Sequence, residues 1–202
     1  MSLTLLLTAC GNTTALNCSV RKSADDSYDA ASAVSLNIGS GDEVAQSFQV
    51  RSTAIAENHT TLTVSSVELM LEPIGEVSGN LFFSIQTDSG GAPSGTELSA
   101  NANATVSITT NLTRGAEFYT FTLQTATELS PNVTYWLRLK AIYPVSTTQY
   151  VKWYADPAAD VYDASNEGYS MKSNGASPPV FTSLGGDLDF LFRIGCTAVT
   201  SS

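Results

Sequence analysis

Apolar residues recur at every second position through most of this chain, and this spacing restricts the fold more than any other feature. The alternation is clearest in residues 67–71, 81–85, 119–123, 135–141 and 188–194. Successive side chains of a β-strand point to opposite faces, so each segment predicts a strand with one buried face. No ten-residue stretch combines helical spacing with helix caps. The sequence therefore predicts an all-β protein.

Turn residues separate these segments. Pro73-Ile74-Gly75 and Ser78-Gly79-Asn80 follow the first segment, and a Gly-rich run follows the second. Residues 62–64 and 67–71 alternate out of phase, which predicts a bulge or break at Ser65-Ser66. Weaker alternation marks further strands at residues 45–50, 62–64, 104–108, 150–154 and 168–172. About ten strands at this spacing predict a single antiparallel β-sandwich, jelly-roll-like, over residues 17–202.

Composition narrows the class of protein. Of the 202 residues, 43% are hydrophobic and only 14% are charged, which favours a packed core over disorder. The net charge of −10 argues against a broad nucleic-acid surface, which needs clustered Lys and Arg. No apolar run reaches the about 18 residues that a membrane-spanning helix requires. We expect no nucleic-acid partner.

The first residues predict a cellular location. An apolar stretch at 3–9 ends in small residues before Cys10, as the hydrophobic part of a secretory signal does. Leu7-Thr8-Ala9-Cys10 resembles the bacterial lipobox, whose cysteine becomes lipidated and N-terminal. Residues 1–10 are then a signal remnant and 11–16 a tether. By the rules of that family, Gly11 favours the outer membrane, so we expect a lipid-anchored protein of the bacterial cell envelope, at the outer-membrane surface or its periplasmic face.

The cysteine count agrees with this location. With Cys10 taken as the lipid acceptor, Cys18 and Cys196 remain, near opposite ends of the chain. A disulfide between them would close almost the whole domain and contribute about 4–5 kcal/mol in the chain-entropy model. The alternative is a pair of free thiols. The sequence favours the disulfide.

Several motifs together resemble a known bacterial surface module. They are VELMLEPIG at 67–75, SGNLFFSI at 78–85, DSGGAPSGTEL at 88–98, LSPNVTYWL at 129–137 and DLDFLFRI at 187–194. This pattern is similar to that of choice-of-anchor R domains, which occur in secreted proteins with varied anchoring signals. The resemblance implies a jelly-roll-like sandwich at the cell surface, and it supplies no catalytic residues.

Aromatic residues on the polar faces of two strands indicate a binding site. Trp136 shares a face with Arg138, and Tyr150 and Tyr154 share a face with Lys152. Sugars bind β-sandwiches by stacking on flat aromatic rings with polar groups nearby. The alternative is that these rings are covered by a loop or by another sheet. The pattern predicts contact with a glycan or a surface protein.

Acidic residues suggest a cation site. Asp156, Asp160 and Asp163 crowd one segment, and carboxylate oxygens are ligands that Ca²⁺ prefers. The spacing is not that of an EF-hand, and solubility alone would also account for these acids. Ca²⁺ is the one cofactor that the sequence suggests.

Catalytic patterns are few. His59 is the only histidine and lies in a polar segment, and no HExxH, GxSxG, P-loop or CxxC pattern occurs. Asp187 and Asp189 would share one face of a strand about 7 Å apart, a spacing found in glycosidases. The ordinary interpretation is two acids on a solvated face. We expect no enzyme activity.

Three functions follow, in order of preference. The first is a cell-surface lipoprotein whose non-catalytic sandwich binds a ligand, a carbohydrate among the candidates, or serves adhesion. The second is a passive structural protein of the envelope. The third is a glycan-acting hydrolase, which depends on the two aspartates alone.

Overall fold

A computed structural model describes most residues of the chain. They are residues 20–21, 34–39, 41–50, 59–108, 112, 115–144, 146–156, 170–173, 179–184 and 189–200. For residues 20, 21, 34, 59, 60, 156, 170 and 196–200 the backbone alone is described.

Most of the described residues lie in strands. The strands in chain order are β1 (Val20–Arg21), β2 (Val34–Ile38), β3 (Glu43–Gln49), β4 (His59–Ile74), β5 (Asn80–Asp88), β6 (Pro93–Glu97), β7 (Asn103–Ser107), β8 (Glu117–Leu129), β9 (Thr134–Ile142), β10 (Tyr150–Asp156), β11 (Ser170–Ser173), β12 (Phe181–Ser183), β13 (Asp189–Phe190) and β14 (Phe192–Thr200). Within these ranges the number of strands is fourteen, against about ten expected. Strands β1, β2, β6 and β12 were not predicted from the sequence, and the expected segment 188–194 is divided between β13 and β14.

The strands form two antiparallel sheets. Sheet 1 has the order β1-β14-β4-β10-β13, with β2 also paired to β10 and β8 to β4. Sheet 2 has the order β12-β11-β3-β9-β5-β6, with β7 also paired to β5. The all-β sandwich is confirmed, while the jelly-roll order stays a prediction.

One core lies between the two sheets. Alternate residues of the facing strands are buried there, among them Leu69, Phe83 and Leu137. Aromatic rings join the sheets, since the ring of Phe83 lies 5.3 Å from that of Phe121, centroid to centroid. Within sheet 1, the ring of Trp153 stacks on that of Phe190 with the ring centroids 4.5 Å apart. The opposite set of residues on each strand is thereby left on an outer face of the sandwich.

Strand β4 carries the predicted bulge. Val64 pairs with Cys196 and Ser66 pairs with Gly195, so Ser65 has no counterpart on β14. The register against β8 shifts at the same place. The prediction of an irregularity at Ser65-Ser66 is confirmed. The bulge brings both parts of this strand, Leu62 with Val64 and Val67 with Leu69, to the same core.

Strand pairing in sheet 1 changes near Leu191, the residue between β13 and β14. Its N–H donates to the carbonyl of Tyr154 at 2.9 Å, and its own carbonyl accepts from the N–H of Met70 at 3.2 Å. The indole of Trp153 also donates to this carbonyl, at 3.1 Å. Leu191 thus holds β10 beside β4 at the point where β4 exchanges β14 for β10 as its partner.

A buried hydroxyl fixes β2 against β10. Tyr143 donates to the carbonyl of Ile38 and accepts from the N–H of Val151 at 3.1 Å. Tyr143 is 6% exposed. Burial, which disfavours the phenolate, raises the pKa of Tyr143 to about 12. The neutral hydroxyl is therefore the form that this contact requires.

Candidate ligand-binding face

The structure separates the predicted ligand-binding residues into two groups. Trp136 and Arg138 lie on β9 in sheet 2, whereas Tyr150, Lys152 and Tyr154 lie on β10 in sheet 1. Both groups alternate with core residues, so they lie on opposite outer faces of the sandwich. They do not form a single site.

Trp136 is not a stacking platform, and its prediction as one is wrong. The side chain is 0% exposed although it lies on the outer face of sheet 2. Its Nε1 donates to Oδ1 of Asp88 at 2.8 Å, and Oδ2 of Asp88 accepts from the N–H of Gly91 at 3.2 Å. A ring without exposed surface cannot receive a ligand. Trp136 instead fixes the turn that follows β5.

Arg138 is held in an ion pair. Its Nε and Nη2 contact one carboxylate oxygen of Glu43, at 2.8 and 2.6 Å. Lys140 contacts the other oxygen at 3.0 Å. The Glu43 side chain is only 4% exposed, so both cations compensate a buried charge. This group can stabilise sheet 2.

The other three residues lie together on the outer face of sheet 1. Tyr150, Lys152 and Tyr154 are all half-buried, while the residues that alternate with them, Val151, Trp153 and Ala155, are fully buried in the core. The two tyrosines are four positions apart on an extended strand, which is about 13 Å along β10. The amino group of Lys152 lies 6.0 Å from the centroid of the Tyr154 ring.

Glu72 on the neighbouring strand orients this group. Its Oε2 accepts from the hydroxyl of Tyr154 at 2.5 Å and contacts Nζ of Lys152 at 3.3 Å. Lys152 and Glu72 are direct cross-strand partners, which explains the contact. The shared carboxylate restricts the rotamers of both side chains in the free protein. The entropic cost of ordering them when a ligand binds is therefore smaller.

Phe118 and Arg193 lie on the same outer face of sheet 1, on the strands that flank Met70 and Glu68 of β4. Phe118 is the cross-strand partner of Met70, and Arg193 is the partner of Glu68. The guanidinium of Arg193 lies 3.7 Å from the centroid of the Phe118 ring. We name this surface the tyrosine face, and it consists of Tyr150, Lys152, Tyr154, Glu72, Phe118 and Arg193. Sequence analysis missed the last three because cross-strand neighbours depend on register.

The tyrosine face and the neighbouring Glu68 together carry no net charge. Lys152 pairs with Glu72, and Arg193 lies 3.8 Å from Glu68. The surface therefore combines half-exposed rings with groups that donate and accept hydrogen bonds. Such a surface can bind an uncharged polar molecule by stacking and hydrogen bonding.

Asp187 and Asp189, the pair on which the hydrolase alternative depends, are only partly described. Asp189 is 4% exposed and accepts from Nε2 of Gln46 at 3.3 Å. Oε1 of the same glutamine accepts from the N–H of Phe190 at 2.8 Å, which ties β13 to β3. Asp189 is thus a buried residue and not one on a solvated face. Asp187 lies outside the described residues, and of His59 the backbone alone is described.

The suggested cation site is also only partly described. Asp160 and Asp163 lie outside the described residues, and Asp156 is described by its backbone, which pairs with Asp189. In the described part of the chain no group of three His, Cys, Asp or Glu side chains is placed to hold a metal ion. The Ca²⁺ site stays a prediction.

The three cysteines are also only partly described. Cys10 and Cys18 lie outside the described residues, and Cys196 is described as a backbone position opposite Val64. Among the described residues no helix is long and apolar enough to cross a bilayer.

Comparisons with known proteins give no family. No family model matches the chain, and no curated protein matches it. The resemblance to choice-of-anchor R domains therefore stays a prediction from the motifs.

Proposed function

We propose that this chain is the non-catalytic binding module of a bacterial cell-surface lipoprotein, and that its tyrosine face binds carbohydrate. The observation that carries the proposal is the position of Tyr150 and Tyr154. Both rings are half-exposed on one outer sheet face, on either side of Lys152. Flat rings flanked by hydrogen-bonding groups are what a sugar needs from a protein surface.

The charge pattern of the face favours a neutral glycan. Each of its two cations has a carboxylate partner, so the face offers no uncompensated cation to an acidic sugar. The hydroxyl of Tyr154 and the carboxylate of Glu72 supply a donor and an acceptor next to a ring. We expect neutral hexose oligosaccharides to bind in preference to uronates, with an affinity that changes little with salt.

The proposal also covers the anchoring of the protein and its location in the cell envelope. Cys10 is lipidated, residues 11–16 form the tether, and residues 17–202 form the sandwich. The protein contacts the membrane through its lipid alone, at the outer-membrane surface or its periplasmic face. Cys18 and Cys196 are joined by a disulfide. This location rests on the signal-like N-terminus and on the resemblance of the motifs. Growth with an alkyne-labelled fatty acid should label the protein, and Cys10→Ser should abolish that label.

The test of binding uses a glycan array followed by calorimetric titration of the best neutral oligosaccharide. We expect Tyr150→Ala and Tyr154→Ala each to weaken binding about tenfold, the usual loss when a central aromatic contact is removed. The matched control is Phe82→Ala, because Phe82 is a half-buried aromatic on the opposite outer face. This control should retain full affinity.

Two results would overturn the proposal. One is an array without binding by folded protein, which would favour the passive structural role. The other is an equal loss in Phe82→Ala, which would move the site away from the tyrosine face. Release of reducing sugar from a bound glycan would instead revive the hydrolase interpretation.

A further inference from the structure

Strand β2 adds polar side chains beside the tyrosine face. It pairs antiparallel with β10, so that Asn37 lies directly opposite Lys152 and Ser35 directly opposite Tyr154. Ile38, the next residue along β2, is buried in the core, so Asn37 lies on the outer face of sheet 1. Asn37 and Ser35 are both exposed. The outer face of sheet 1 therefore continues from the tyrosine face onto exposed polar groups of β2.

We propose that Asn37 belongs to the binding site, and that this site takes an extended β-linked chain of at least three neutral hexose units, laid along β10. The inference rests on the carbohydrate-binding function proposed above and specifies its ligand. In this arrangement Tyr150 and Tyr154 each stack on a sugar ring. Asn37 binds hydroxyl groups of the sugar between them.

The spacing of the two tyrosines sets the minimum length of the ligand. Tyr150 and Tyr154 are four positions apart, which is about 13 Å along the strand. Stacked rings have their centroids about 4.5–7 Å apart, so one sugar cannot stack on both tyrosines. Two linked sugars also fall short, because a hexose ring is no broader than the phenol ring itself. Contact with both tyrosines therefore requires at least three units, the middle one over Lys152.

The position of both tyrosines on one strand also favours a particular linkage. Side chains on one face of a strand lie nearly in line, so a ligand that contacts both rings must follow that line. A β-linked chain whose linking bonds are all equatorial is extended, and its successive units alternate in orientation. The first and third units then turn the same face to the two tyrosines. An α-linked chain of the same sugar curves away from the line.

A row of polar groups crosses the sheet between the two tyrosines. Glu72, Lys152 and Asn37 are successive cross-strand partners on β4, β10 and β2. Adjacent strands lie about 4.8 Å apart, so the backbones that carry Glu72 and Asn37 are about 10 Å apart, which leaves room for one sugar ring. Among the described residues the amide of Asn37 has no hydrogen-bond partner, and it can both donate and accept. Asn37 thus serves the side of the middle sugar opposite Glu72.

The first test is a calorimetric titration of the full chain with cello-oligosaccharides and manno-oligosaccharides, both β-linked, of one to six units. In the series that binds better, we expect the Kd to fall at least tenfold between two and four units, because the second tyrosine is then engaged. Malto-oligosaccharides, which are α-linked, should bind at least tenfold more weakly at the same length. Equal affinity for two and four units, or for the two linkages, would overturn the inference.

The second test concerns Asn37. Asn37→Ala should weaken binding of the β-linked tetrasaccharide about twofold to tenfold, the effect of a lost hydrogen bond. Asn80→Ala is the matched control, because Asn80 is also exposed but lies on the outer face of sheet 2, and it should keep natural affinity. Thermal melts check that both variants fold. Natural affinity in Asn37→Ala would exclude Asn37 from the site.

The third test separates this inference from the proposed function. Tyr150→Ala and Tyr154→Ala should each weaken the tetrasaccharide about tenfold, whereas at most one of them should weaken the disaccharide by that factor. If both weaken the disaccharide tenfold, the ligand length is wrong, although carbohydrate binding by the tyrosine face stands. If folded protein binds neutral glycans but neither β-linked series, the linkage is wrong. If it binds no glycan at all, the proposed function itself fails.

Discussion

Nε1 of Trp136 donates a hydrogen bond to Oδ1 of Asp88 across 2.8 Å and so joins β9 to the end of β5. These residues belong to two separate motifs of the sequence, residues 88–98 and 129–137. Asp88 also accepts from the N–H of Gly91, so a single carboxylate holds both the turn and the buried indole. The two motifs therefore serve one structural purpose.

This contact predicts a clear order among Asp88 variants. Asp88→Ala leaves the indole N–H of Trp136 buried without its acceptor, which costs about 1–3 kcal/mol. Asp88→Asn keeps one acceptor oxygen and should cost about half as much. The free energy of unfolding in urea measures both. Equal stability of Asp88→Ala and the natural chain would contradict this account of Trp136.

A second prediction compares two carboxylates. Glu43→Gln leaves Arg138 and Lys140 without their shared partner, and the Glu43 side chain is 4% exposed. We expect a loss of about 2–3 kcal/mol. Glu68→Gln is the matched control, because both side chains of the Glu68–Arg193 pair are 35% exposed, and it should cost less than about 1 kcal/mol. Equal losses in the free energy of unfolding in urea would show that burial does not determine how much these ion pairs contribute to stability.

A third prediction concerns high pH. The pKa of Tyr143 is about 12 in the folded protein, above its usual value of 10.0. The folded state therefore keeps a proton that the unfolded state releases more readily. The associated stability is fully present below about pH 10 and is lost as the pH rises towards and through 12.

Tyr143→Phe tests this linkage. The variant should lose about 1–3 kcal/mol at pH 7, because the carbonyl of Ile38 and the N–H of Val151 lose their partner. Between pH 9 and pH 11.5 its urea midpoint should fall less steeply than that of the natural chain. Parallel curves would place the pH dependence elsewhere.

A fourth prediction concerns the turn between β4 and β5. Gly79 has φ +139°, and a Cβ built there would lie 2.7 Å from the carbonyl oxygen of Ile142. Gly79→Ala should therefore cost about 1–3 kcal/mol in backbone strain and displacement. Gly90 has φ +66° with no atom within 4 Å of a built Cβ, so Gly90→Ala should cost about 1 kcal/mol. Thermal melts compare the two, and the reverse order would contradict the steric explanation.

The sequence predicted the strands better than their partners. Period-two alternation identified the longer strands and the bulge at Ser65-Ser66, because burial of one face dictates that pattern directly. Strand β2 also alternates, from Val34 to Ile38, and could have been recognised. Strands β1 and β13 are two residues each, too short to show a period.

The candidate site was predictable only where it lies on one strand. The spacing of Tyr150, Lys152 and Tyr154 places them on one face by period two alone. Glu72 is 80 residues away from Lys152, and no local pattern shows that the two strands pair in this register. Trp136 was misjudged for a related reason. Alternation predicts which face a residue occupies, but it does not predict what covers that face.

The position of β14 has a consequence for biogenesis. This strand lies between β1 and β4 in sheet 1, and it is the last of the described strands in chain order. During synthesis, β4 is complete more than a hundred residues before β14 is made, whereas its other partners β8 and β10 are made earlier. Pairings of such long separation form slowly, because the chain must close a large loop first. The β4–β8 and β4–β10 ladders can thus form first, and the two ladders of β14 complete sheet 1 afterwards.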